Sequence, residues 1–172
     1  HSTSRRQRQM CIRDRNNNGM LLPSTASEDE VLHLKRVTGL NVSKLESKLT
    51  AIGNLISTND KGAIVSPLFK NEFDKQICDV LGIETHTMSV ADFNQTGSMI
   101  VSTNDGAAVH PKATEKEVET ISSVLKVEVE PLTINGGIPY LSSGIVWNTR
   151  SLIVGNLTTG PELIMLSRAF KM

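Results

Sequence analysis

Ser57 to Pro67 reads STNDKGAIVSP, and Ser102 to Pro111 reads STNDGAAVHP. An earlier copy, Asn16 to Pro23, reads NNNGMLLP, so the closing prolines Pro23, Pro67 and Pro111 fall 44 residues apart. One more step of 44 reaches Gly155, where Asn148 to Gly155, NTRSLIVG, keeps the unit in degenerate form. Self-similarity at a period of this size restricts the chain to a repeat architecture, because each copy is too small to bury its own apolar surface.

The unit can be written from local chemistry. An apolar strand ends at an Asn-containing turn, where Asn and Asp side chains bond nearby backbone groups. Gly19, Gly62 and Gly106 are expected to supply positive φ there. A second short strand, MLLP, AIVSP or AAVHP, ends at a proline that has no amide hydrogen to extend a ladder. Helices follow, started by capping-box pairs Ser27 with Glu30, Thr114 with Glu117 and Thr159 with Glu162, with Pro161 in the first turn of the last. Val31, Leu34 and Val37, then Phe73, Ile77, Val80 and Leu81, then Val118, Ile121 and Leu125, then Leu163, Leu166 and Phe170 recur at helical spacing and predict buried stripes. Third strands, LNVSKLE, IETHTM and VEVEPLT, begin after Gly39, Gly82 and Lys126, and loops around Gly53, Gly97 and Gly144 lead into the next unit. The repeat is therefore ββαβ, about 45 residues long. The repeats predict units at 16–53, 54–97, 98–144 and 145–172, packed either as an open stack or as a closed ring, which removes sheet edges.

Residues 1–15, HSTSRRQRQMCIRDR, show neither the repeat nor an apolar period and are expected to be a non-native or disordered extension, a basic RNA-binding tail being the alternative. They carry a net charge of +4, which leaves the other 157 residues at −4, so phosphate-led nucleic-acid binding is not expected. No DNA partner and no membrane are expected either, since no apolar run nears the roughly 20 residues of a span. Cys11 and Cys78 are too few for a disulfide framework and lack metal-ligand spacing, which fits a reducing intracellular setting.

Four segments, NNNGMLLPSTASEDEVLHLKR, TAIGNLISTNDKGAIVSP, STNDGAAVHPKATEKEVETISSVLKVEVEPLTINGG and NLTTGPELIMLSRAF, resemble the translation initiation factor 6 family over about residues 15 to 172. The resemblance implies an α+β fold, a pentein-type β/α-propeller of pseudo-symmetric ββαβ repeats around a fivefold axis, here incomplete at the N-terminus. It implies a non-enzymatic function: binding the large ribosomal subunit on its intersubunit face, through a ribosomal protein near the sarcin-ricin loop, and blocking the small subunit. Eukaryotic members also act in late large-subunit maturation. A cytoplasmic location follows, nucleolar as well in a eukaryote, with no cofactor and a monomer when the ring is complete. The TTGPELIM wording and the end at Met172 point to the archaeal branch. A ring lacking a blade exposes apolar faces, so marginal stability or aggregation is expected.

The ribosome-facing rim implied by the resemblance falls on loops around Asn54, Gln95 to Ser98 and Asn135 to Gly144, which makes Asn54, Gln95, Ser98, Asn135 and Tyr140 the candidate site. Asn54 can donate and accept a hydrogen bond, with loop capping as its structural alternative. Tyr140, the one tyrosine of the chain, suits an interface anchor or a packing role. The alternative function is a pentein guanidino-group hydrolase or transferase, which needs an activated cysteine beside a base. Cys11 lies in the extension and Cys78 on an apolar helix, so this alternative is disfavoured. His110 is expected to order a turn, His33 and His86 to lie on the surface, and Trp147 to lie in the core. Asn16, Asn59 and Asn104 recur with the period and predict turn chemistry in every unit.

Overall fold

The computed structural model describes residues 14–69, 73–147 and 151–172. Three sheets share one topology. β1 (Asp14–Arg15), β2 (Gly19–Pro23), α1 (Glu28–Thr38) and β3 (Asn41–Leu45) form the first unit; β4 (Ile56–Thr58), β5 (Ala63–Val65), α2 (Asp74–Leu81) and β6 (Thr85–Thr87) the second. A short helix, α3 (Thr96–Met99), leads into the third, made of β7 (Ile100–Ser102), β8 (Ala107–Val109), α4 (Glu115–Leu125) and β9 (Val129–Pro131). In each, the first pair of strands is antiparallel and the second parallel, so the helix is the crossover. The fourth unit has two strands among the described residues, β10 (Ile145–Trp147) and β11 (Leu152–Val154), and then α5 (Gly160–Ala169). Among the described residues the architecture is mixed α/β with several small sheets and no closed barrel.

Helix starts follow the sequence. Ser27 Oγ accepts from the Glu30 amide at 3.1 Å, and Thr114 and Glu117 satisfy each other's amides in a capping box. Gly39 and Gly82 close α1 and α2 in the left-handed region, and Lys126 does the same after α4.

Each helix after the first is covered on a second side by the sheet of the unit before it. Ile77, Val80 and Leu81 of α2 share a core with Leu21 and Leu45; Ile121 and Leu125 of α4 with Ile64; Leu166, Ala169 and Phe170 with Val101 and Ala108. The hairpin glycines sit at these joints. A methyl group at Gly19, Gly62 or Gly106 would lie 1.9, 2.2 or 1.7 Å from the carbonyl oxygen of Val80, Val124 or Ala169. None of the three has positive φ, which corrects the reason expected for them: the next helix's last turn leaves no room for a Cβ.

The asparagines join units as well as closing turns. Asn16 Oδ1 accepts from the amides of Asn18 and Gly19, while its Nδ2 donates to Leu81 O (2.9 Å) and Asn59 O (3.3 Å) of the second unit. Asn59 repeats this one unit on, accepting from Lys61 and Gly62 and donating to Leu125 O (2.9 Å) and Thr103 O (3.0 Å). The third member is Thr103, whose Oγ1 accepts from Asp105 and Gly106; Asn104 matches Asp60, which corrects the period read from sequence by one residue. Asn104 and Asn17 both donate to the Asp60 carboxylate, and although burial works against its charge, these bonds hold its pKa below the usual carboxylate range.

Where no neighbouring unit is described, apolar positions stand open. Val101 and Ala108 are fully buried, whereas the residues in their place on the fourth sheet, Val146 and Ile153, are 49% and 69% exposed. Val37, expected in a buried stripe, occupies the place of Val80 and Val124 but is 65% exposed, because no described sheet lies over that side of α1. Leu163, also expected inside, is 47% exposed because the fourth sheet has no third strand among the described residues to cover it. Trp147 is likewise at the surface at 37%, its indole N–H bonded to Ser102 O at 2.9 Å; β1 and β4 each have the next unit's first strand against them, and β10 has none described. Asp14 and Arg15 pair with β2 and so belong to the first sheet rather than to an extension. Residues 1–13, with Cys11, and Asn148 to Arg150 of the degenerate copy lie outside the described residues.

Candidate functional site

At the end of the molecule opposite the hairpin turns, the loops expected between units are short helical turns: Ile52–Asn54, α3, and Leu141–Ser143. They lie side by side, the middle one against both neighbours. Gly97 permits this, since a Cβ there would meet Ile56 O at 2.3 Å and Gly53 O at 2.5 Å. Asn54 ends the first turn, its amide donating to Ala51 O, and its half-buried side-chain amide has no hydrogen bond among the described residues. Gln95 precedes α3 and is exposed; Ser98 lies within α3, half-buried, its amide donating to Gln95 O. The structure therefore brings Asn54, Gln95, Ser98 and the Tyr140 turn onto one arc.

Tyr140 is 44% exposed, and its ring stands edge-on to Phe93 (6.1 Å) and tilted over His110 (6.2 Å), with Phe93 and His110 5.5 Å apart. Phe93 and His110 were not legible as rim residues, because they come from different stretches of the chain and share no spacing with Tyr140. His110 orders its turn as expected: Nδ1 accepts from the Lys112 amide at 3.1 Å. Burial, helped by Lys112 and opposed by Glu117, lowers its pKa and so favours the neutral imidazole.

Asn135 is placed differently. Its side chain faces inward, where a Cβ on Gly144 or Gly155 would come within 2.6 and 2.0 Å of it, and Thr158 Oγ1 bonds its Oδ1 at 3.3 Å. It shapes the loop from inside. The loop, Ile134 to Ile138, is closed by paired amide–carbonyl bonds between its ends, with Asn135, Gly136 and Gly137 all at positive φ. Beneath it lies Glu162, 6% exposed, which accepts from the amides of Gly136 (3.1 Å), Gly137 (2.9 Å) and Thr159 (2.8 Å) and the hydroxyls of Thr133 (2.8 Å) and Thr159 (2.9 Å). Burial alone would raise its pKa; the donated hydrogen bonds outweigh burial and hold it at about 2.

A cavity of about 660 Å³ opens where the first strands of the sheets converge, lined by Arg15, Asn54, Ser57, Ser102 and Trp147 among others. Ser57 and Ser102 hydroxyls meet within it at 3.2 Å. Among the described residues, Cys78 is half-buried with its Sγ 3.4 Å from Thr85 Oγ1, His33 and His86 are exposed as expected, and no group of three metal-ligating side chains occurs.

With this geometry in hand, comparison with known proteins decides the family. The model of the eIF-6 family matches residues 10–169. The chain belongs to the eIF-6 family. It is 53% identical to translation initiation factor 6 of Nitrosopumilus maritimus over 94% of this chain and 72% of that protein. It is 48% identical to translation initiation factor 6 of Cenarchaeum symbiosum, over 90% of this chain and 70% of that protein. Identity to the eukaryotic translation initiation factor 6 of Emericella nidulans is lower, 33% over 91% of this chain and 64% of that protein. The eIF-6 match covers the three complete units and the fourth, and its start at residue 10 takes in β1, in keeping with the pairing of Asp14 and Arg15. The family's members bear the names of translation initiation factors, not of enzymes.

Proposed function

We propose that this protein docks the arc of Asn54, Gln95, Ser98 and Tyr140 onto a protein surface at the intersubunit face of the large ribosomal subunit, near the sarcin-ricin loop, and so keeps the small subunit away. The observation that carries the reading is family membership over residues 10–169, among proteins named translation initiation factors. The rim agrees with it. Asn54 offers a side-chain amide with no hydrogen bond among the described residues, able to donate and accept, on the same arc as the exposed ring of Tyr140. Aromatic anchors of that kind are enriched at interface hot spots. The mechanism is steric and takes place in the cytoplasm: a rigid body occupies the ground that the other subunit must approach, so no bond is made or broken.

The finer fold belongs to the same proposal. Three joints of one pattern support a single pentein ring, in which a further unit would lay a helix over Val146 and Ile153 and a sheet against Val37. The test is co-sedimentation with salt-washed large subunits, scored with and without small subunits added. Recovery in the large-subunit fraction with fewer joined ribosomes is expected. A version carrying the relatives' full length that stays in the supernatant would sink the reading.

A further inference from the structure

The rim turns are set by loops that fold with left-handed backbone, and an equivalent glutamate reaches under each of two of them. Ala91 and Asp92, at φ 51° and 65°, form a tight loop closed by paired bonds between Val90 and Phe93, just before Gln95. The Ala91 amide donates to Glu117 Oε1 at 3.0 Å. One unit on, the amides of Gly136 and Gly137 donate to Glu162, just before Tyr140. Glu117 and Glu162 are the capping-box glutamates of α4 and α5, so each carboxylate caps its own helix and holds the loop that delivers the adjacent rim segment. Positive φ at Ala91, Asp92 and Asn135 costs free energy that the surroundings must offset. A charged acceptor against the loop amides does so, because hydrogen bonds to an ionised group are the strong ones.

We infer that Glu162 is a positioning residue for the binding rim. By gripping the tip of the Ile134 to Ile138 loop it fixes where Tyr140 stands over Phe93 and His110, and Glu117 does the same for the Gln95 segment. The inference rests on the rim reading proposed above. Capping alone does not require this geometry, since the helix needs only the Thr159 contacts, whereas Thr133, Gly136 and Gly137 spend their donors on Glu162 from the preceding unit.

The test uses the whole chain and a double-mutant cycle of Glu162→Gln and Tyr140→Ala, read by affinity for salt-washed large ribosomal subunits and by amide hydrogen exchange. Glu162→Gln is expected to speed exchange at Gly136 and Gly137 by about tenfold or more while the amides of Leu166 to Ala169 keep their rates. It is expected to weaken binding about tenfold in the parent and to add no loss on top of Tyr140→Ala. Losses that simply add, or unchanged exchange at the two glycines, overturn the inference. Tyr140→Ala binding as well as the parent removes Tyr140 from the rim reading, and the exchange rates then decide the brace alone. If Glu162→Gln does not fold, Thr133→Val removes one neutral donor from the same carboxylate and is read in the same way.

Discussion

The hairpin end and the rim end of this molecule are built by the same repeat, yet they treat polar groups in opposite ways. At the hairpin end, Asn16 and Asn59 are buried and the side-chain amide of each donates to carbonyls of the next unit. At the rim, Asn54 has a side-chain amide with no partner among the described residues, and Tyr140 stands nearly half exposed. Asparagine that recurs with the period bonds one unit to the next, whereas Asn54, at a position where the units differ, makes no such bond among the described residues. Buried amides need partners, and the proposed docking would give the Asn54 amide one.

Substitutions at the two ends should separate accordingly. The largest effect is expected at Gly62→Ala, whose methyl would lie 2.2 Å from Val124 O, a backbone atom that cannot move without shifting α4. A loss of about 3 kcal/mol or more is expected, seen as a large drop in the thermal midpoint. A midpoint within a degree or so of the parent would mean the joints are looser than drawn.

Next comes the link between the ends. The folded pKa of Glu162, about 2, lies below its ordinary 4.5, so the unfolded chain binds its proton first. The stability it contributes is fully present above 4.5 and is lost as the pH falls toward 2. Melting Glu162→Gln beside the parent from neutral pH to pH about 2.5 should show a gap between their midpoints that closes as the carboxylate protonates. A gap independent of pH breaks the assignment.

The smallest effect on stability is expected at Asn54→Ala, within about 0.5 kcal/mol of the parent, with binding to large subunits nonetheless weakened about tenfold. The reverse outcome, an unfolded variant or one that binds normally, would make Asn54 a turn cap and leave the contrast between the two ends without its functional half.

Much of the fold was legible in residue order. The 44-residue step, the capping pairs at Thr114 and Thr159 and the strand-ending prolines all appear where they were read. The rim was half legible. Asn54, Gln95, Ser98 and the Tyr140 turn lie along one arc, but Asn135 turns inward; Phe93 and His110 reach Tyr140, and Glu162 reaches the loop before it, from stretches whose spacing carries no sign of it. Val37 and Leu163 show the same limit from the other side, since helical periodicity marks an apolar face without stating what covers it.

The division has a physical cause. Turn chemistry, helix caps and the hydrophobic period act over a few residues, so the chain states them directly: a ββαβ unit, written three times among the described residues. How one unit meets the next depends on atoms about 44 residues apart. Only the packed structure shows that Gly62 is glycine because Val124 O lies against it and not because of its φ. It alone shows that Asn59 is satisfied across a joint while, among the described residues, the Asn54 side chain finds no partner. That difference is decided by where the units pack against one another, which no spacing along the chain records.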